Sequence, residues 1–349
     1  MYTLQADYSF AGGIPPAPYT IDKSVIGKLD PVYVEFYKEN LSQNSKILYT
    51  HRVPLKELRE GGNVIPGQTP LVEMAKTFDI SIPGRAGSIP ARVFVPKGPV
   101  PTNGWPCFLW FHGGGHVLGN ISTENSFCTH IADSVKALVV SVDYRLAPDH
   151  PFPAAPNDSY DSLLWVYEFG TKELGIDVNN ITVGGSSAGG NLAAVISHKF
   201  VNDPKTSKYP PIKLQVLIVP VTDCTADASN TESWKEFEFT PQLPAEKMLW
   251  YRTLYLPNSE DLVNVEASPL FYSDESFAKN PPCIVAVAEC DVLKSEGIKY
   301  GEKLRKNGVK TDINIYPGMP HPVMVMDGVT EQGRQLLKDV STAIKNSIV

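Results

Sequence analysis

From about residue 78 to the C-terminus, short apolar runs rich in β-branched residues alternate with stretches of helical periodicity, which few architectures accommodate. Runs that are apolar throughout suit strands covered on both faces, and their regular exchange with helical patterns specifies an α/β fold with a mostly parallel central sheet and helices on both faces. The runs are Cys107 to Phe111, Ala137 to Val142, Ile181 to Val183, Leu214 to Val219, Cys283 to Ala288 and Thr311 to Tyr316. The last alternates in polarity and belongs nearer an edge. Segments 78–84 and 91–96 read as an antiparallel hairpin leading into the sheet. Helices are expected over 157–170 and 188–201, and at the C-terminus, where Leu336, Leu337, Val340, Ala343, Ile344 and Ile348 recur at helical spacing.

Two regions break the alternation: residues 1–77 and roughly 225–278. Each is longer than a crossover needs, and each is rich in aromatics, such as Tyr33, Phe36 and Tyr37 in the first and Trp234, Phe237, Trp250 and Tyr251 in the second. They are expected to form a mainly helical cap on one body spanning 78–349, with 1–77 as its N-terminal segment and 225–278 as an insertion. The alternative is that these rings only glue the insertions to the body.

A net charge of −7 gives no general attraction to nucleic acid or anionic membranes. No stretch reaches the ~18 apolar residues of a stable membrane span. No secretory leader is visible in residues 1–30, so a cytoplasmic location is expected. Five widely spaced cysteines suggest neither a disulfide framework nor a metal site. Homodimerisation through an edge strand is allowed, but no sequence feature requires it.

The sharpest local signal is ITVGGSSAGGNLAAVI at 181–196, where a strand passes through glycines and serines directly into a helix. Gly185-Ser186-Ser187-Ala188-Gly189 fits G-x-S-x-G centred on Ser187. Gly185 and Gly189 permit a turn tight enough to lift the serine hydroxyl above the sheet. His112-Gly113-Gly114-Gly115 follows the strand CFLWF. Backbone without side chains can bring N–H groups close to a reacting carbonyl oxygen. Gly114, Gly115 and Ala188 are therefore candidate oxyanion-hole donors, supported by His112 and Gly113.

A serine nucleophile needs a base. Of seven histidines, His321 alone follows the last strand, in YPGMPHPV, at a carboxyl end where open α/β sheets place their sites. Its orienting carboxylate is expected between serine and histidine. Asp291, after CIVAVAEC, is the better candidate, with Asp223 and Glu289 as alternatives. Asp143 precedes the serine and is expected to hold a loop.

HGGG at 112–115, DYRLAPDHPFPAA at 143–155, GGSSAGG at 184–190, ECDVLKSEG at 289–297 and His321 occur in the order found in the hormone-sensitive-lipase family of α/β-hydrolases, which this chain resembles over about residues 78–349. The resemblance implies a serine carboxylic ester hydrolase with Ser187, His321 and Asp291 as catalytic triad, a small-molecule ester of short to medium acyl chain as substrate, an N-terminal cap, and no metal or organic cofactor. It also implies a rival, because the family has given rise to hormone receptors lacking the catalytic histidine; His321 argues against that here. The chain departs from the pattern twice: Ser186 stands where the family usually has aspartate, and Pro322 where glycine or alanine often follows the histidine.

Overall fold

A computed structural model describes residues 2–61 and 65–348. Eight strands form one sheet: β1 (Lys76–Gly84), β2 (Gly87–Val95), β3 (Trp105–Phe111), β4 (Leu138–Val142), β5 (Ile176–Ser186), β6 (Leu214–Ile218), β7 (Cys283–Ala288) and β8 (Thr311–Tyr316). Their spatial order is β1-β2-β4-β3-β5-β6-β7-β8. The β1–β2 hairpin joins the sheet antiparallel to β4, and from β4 to β8 every pairing is parallel. Strand β8 lies at the edge, as its alternation predicts, and Ile315 is exposed there.

Eleven α-helices lie among the described residues. In the N-terminal region are α1 (Pro31–Phe36), α2 (Ser45–Leu48) and α3 (Leu55–Gly61); α4 (Asn125–Val135), α5 (Ala154–Leu174) and α6 (Ala188–Asn202) follow. Between β6 and β7 come α7 (Glu232–Glu236), α8 (Ala245–Tyr255) and α9 (Asp274–Ala278), then α10 (Lys294–Lys306) and α11 (Glu331–Ser347).

The pleat divides the strand side chains between two cores. Phe108 and Trp110 of β3 share one core with α4 and α11, while Leu109 and Phe111 share the other with α5, α6 and α10. Full burial of each such side chain contributes roughly 1.5–3 kcal/mol. Along α11, Leu336, Val340 and Ile344 are fully buried, and Leu337, Ala343 and Ile348 pack beside them.

Two elements exceed their sequence expectation. Strand β5 begins at Ile176 rather than Ile181 because Trp105 pairs with Ile176 before a register shift. The intervening Asp177, Asn179 and Asn180 hydrogen-bond among themselves, and these poor strand formers conceal the strand's first half. Helix α5 starts at Ala154 and includes Pro156, tolerated in the first turn because no N–H is required there.

The N-terminal helices and α7–α8 pack together above the carboxyl ends of the strands. Lys247 Nζ donates to Ile47 O at 2.9 Å, Gln242 Nε2 to Tyr33 Oη at 3.1 Å, and Trp250 Nε1 to Tyr8 O at 2.6 Å. Arg52 reaches both oxygens of Glu246 at 2.9 and 3.0 Å. Tyr33, Trp234, Phe237 and Trp250 are buried in this layer, whereas Phe239 is exposed. No helix among the described residues is long and apolar enough to cross a membrane.

Candidate active site

Strand β5 ends at Ser186, and α6 begins at Ala188, leaving Ser187 as the hinge between them with φ 53° and ψ −112°. This conformation is unfavourable for a side chain and is held from both sides. The Ser187 N–H donates to Ile218 O at 2.8 Å, and Ser187 O accepts from Asn191 N at 3.0 Å. Close backbone approach explains the flanking glycines: a Cβ at Gly185 would collide with the backbone of Gly189, and one at Gly189 with that of Phe111.

The HGGG loop leaves β3 beside this hinge. His112 is buried, its Nδ1 lies 2.7 Å from Gly113 O, and its ring stacks on Tyr144 at 4.4 Å. The Tyr144 hydroxyl donates to His112 O at 2.7 Å. Burial pushes the His112 pKa down to about 4, so the ring is a neutral brace at pH 7. Gly114 and Gly115 have φ of 117° and 63°, and Tyr251 of α8 packs against Gly115 so closely that a Cβ there would enter its ring.

His321 follows β8. Its Nδ1 lies 2.7 Å from Oδ2 of Asp291, which is 1% exposed and whose Oδ1 accepts from Leu293 N at 3.1 Å. The alternatives are engaged elsewhere. Glu289 accepts from Gly318 N at 2.7 Å and thereby fastens the His321 loop. Asp223 closes a local turn with Thr225 N and Oγ1 at 2.8 and 2.6 Å. Asp143 lies on the cavity wall, with burial raising its pKa, while the remaining histidines do not meet Asp291.

Ser187, His321 and Gly113–Gly115 line one cavity of about 740 Å³ between the sheet and the helical layer. Ala188, fully buried at the first turn of α6, adjoins it through Ser187. Pro322 is also on the wall and starts the short helical turn Val323–Met326.

The sequence reading missed Glu124, just before α4. One of its oxygens accepts from Ser186 Oγ at 2.6 Å and Gly113 N at 3.1 Å, and the other from Trp110 Nε1 at 2.8 Å. Burial raises its pKa to about 7 against the downward pull of these donors. One carboxyl group thus ties the glycine loop to the residue before Ser187. The available signal was negative: Ser186 occupies a position where the resembled family carries a carboxylate, and the fold supplies one from 62 residues away.

A family model described as alpha/beta hydrolase fold matches residues 108–325. An AB hydrolase superfamily protein of Schizosaccharomyces pombe is 54% identical over 328 residues, covering 93% of this chain and 95% of its own length. The carboxylic ester hydrolase LipN of Mycobacterium tuberculosis is 37% identical over 70% of this chain and 63% of its own. Among solved structures, the hyperthermophilic esterase of the archaeon Pyrobaculum calidifontis superposes with a TM-score of 0.79 at 32% identity, over 91% of this chain and 98% of that one. With its sheet, hinge serine and HGGG loop, the chain belongs to the α/β-hydrolase family, in the hormone-sensitive-lipase branch that its motif order resembles.

Proposed function

We propose that this carboxylesterase-type α/β-hydrolase cleaves short- to medium-chain acyl esters through Ser187, His321 and Asp291. The observation that carries the reading is the 2.7 Å contact between His321 Nδ1 and buried Asp291, on the wall of the cavity that Ser187 also lines. Donation of Nδ1–H to the carboxylate fixes the tautomer and leaves Nε2 as the basic nitrogen.

Ser187 Oγ attacks the ester carbonyl carbon while His321 Nε2 removes its proton, and Asp291 stabilises the imidazolium. The carbonyl oxygen becomes an oxyanion, for which the N–H groups of Gly114, Gly115 and Ala188 are the proposed donors; Ala188 also stands at the positive end of α6. The C–O bond to the alcohol breaks as His321 returns the proton to the leaving oxygen. Water then attacks the acyl-Ser187 ester, with His321 again as base, and releases the acid.

Ser187→Ala is expected to lower turnover of phenyl acetate by at least ~10³-fold, the scale for losing one member of a catalytic unit. Undiminished hydrolysis by the purified variant would refute the mechanism. A p-nitrophenyl ester panel from two to sixteen carbons tests the acyl range, and preference for the longest chain overturns that part of the proposal.

A further inference from the structure

Lys247 stands in the first turn of α8, on the wall of the cavity that holds Ser187 and His321. It is only 7% exposed, and its neighbours on that wall include Ile47, Leu243, Met248 and Tyr251. An ammonium has three donors, and among the described residues one is used, toward Ile47 O at 2.9 Å. Among the described residues no carboxylate pairs with it. The adjacent Glu246 is bound by Arg52 at 2.9 Å and lies 3.1 Å from His51 Nε2. Acidic groups elsewhere on the wall are also engaged: Asp149 by Arg59, Glu124 by its three donors, and Asp143 by the Ile121 backbone N–H and the nearby charge of Arg92. Exposed Lys46, from the same segment as Ile47, adds a further cation to this wall, where Arg59 and Arg145 are paired with Asp149 and Asp158.

A buried cation without a counter-charge is unfavourable, and burial alone pulls the Lys247 pKa down to about 7. An anion in the cavity would supply the missing charge and accept the remaining N–H groups.

We propose that Lys247 is a specificity-determining residue that binds a carboxylate carried by the substrate away from its scissile ester, so that the preferred substrates are half-esters of dicarboxylic acids or acyl esters of hydroxy acids. The inference rests on the ester-hydrolase reading above. The carboxylate accepts charge-assisted hydrogen bonds from Nζ while the ester carbonyl lies against Ser187. No chemical step passes through the lysine; its effect is on substrate binding and orientation.

The test compares wild type and Lys247→Met on monoethyl glutarate and monoethyl adipate, on 4-acetoxybutyrate, and on ethyl butyrate as the neutral reference. The variant is expected to lower kcat/KM for at least one carboxylate series, relative to ethyl butyrate, by tenfold or more, the scale of a lost charge-assisted bond. A ratio lowered by less than tenfold for every carboxylate ester overturns the proposal. If the variant does not fold, wild type alone decides. Glutarate is then expected to inhibit phenyl acetate hydrolysis at least tenfold more tightly than butyrate, and any smaller preference overturns the proposal. Phenyl acetate hydrolysis by wild type stands as the separate check on the ester-hydrolase reading, since failure there refutes that reading regardless of the lysine.

Discussion

Removing the Glu124 carboxylate should loosen the glycine loop and the Ser187 hinge together. In Glu124→Ala, the Trp110 indole N–H and the Gly113 amide, both buried, lose their acceptor, while the Ser186 hydroxyl can rotate to seek another. Each stranded buried donor costs about 1–3 kcal/mol, so the two fixed donors predict a loss of about 2–6 kcal/mol. Glu124→Gln retains a carbonyl oxygen for Gly113 and Ser186 but turns an amide NH2 toward the Trp110 N–H, predicting about 1–3 kcal/mol from one conflict. Catalysis should suffer in the same order. Gly113 precedes Gly114 and Gly115, and loss of a single oxyanion donor lowers kcat by about 10²–10³-fold. Partial misplacement of the loop in the alanine variant is expected to lower kcat by about 10–10²-fold and leave KM for phenyl acetate within about threefold. The assay is urea unfolding together with steady-state kinetics at a temperature where circular dichroism shows the variant folded. A kcat within twofold of wild type, or stability within about 0.5 kcal/mol, would refute this positioning role.

Gly189→Ala should abolish both activity and soluble expression, because its Cβ would enter the Phe111 carbonyl, whose backbone cannot retreat without breaking β3; soluble, active protein would contradict this packing account. Thermal unfolding across pH should give a stability maximum with a cause on each side. Burial lowers His51 and His112 to about 4 and His116 and His198 to about 3, so their contribution is fully present above pH ~6.5 and is lost as pH falls through those values. Burial raises Glu124 to about 7 and Glu296, a buried residue of α10 that accepts from Thr222 N and Trp234 Nε1, to about 8, so theirs is full below pH ~4.5 and declines as pH climbs through those values. Replacing Glu296 with Gln should flatten the alkaline limb, and an unchanged slope from pH 7 to 9 would count against its assignment.

What the sequence determines here is local in origin. Strand periodicity, the glycine spacing around Ser187 and the HGGG run are written in contiguous residues, because backbone geometry at a hinge or tight loop restricts which side chains its own positions tolerate. His321 is also singled out by its place after the last strand. Other parts of the site are settled only by tertiary structure. Asp291, Asp223 and Glu289 all follow strands and look alike locally; packing brings Asp291 alone to His321, with Glu289 fastening the loop and Asp223 closing a turn. The Glu124 contact to Ser186 spans 62 residues, and that from Lys247 to Ile47 spans 200, so neither leaves a periodic trace. Even the order β4-β3-β5 departs from sequence order. Local conformation depends on a few neighbouring residues, whereas burial and charge pairing depend on which distant surfaces meet after the sheet has assembled.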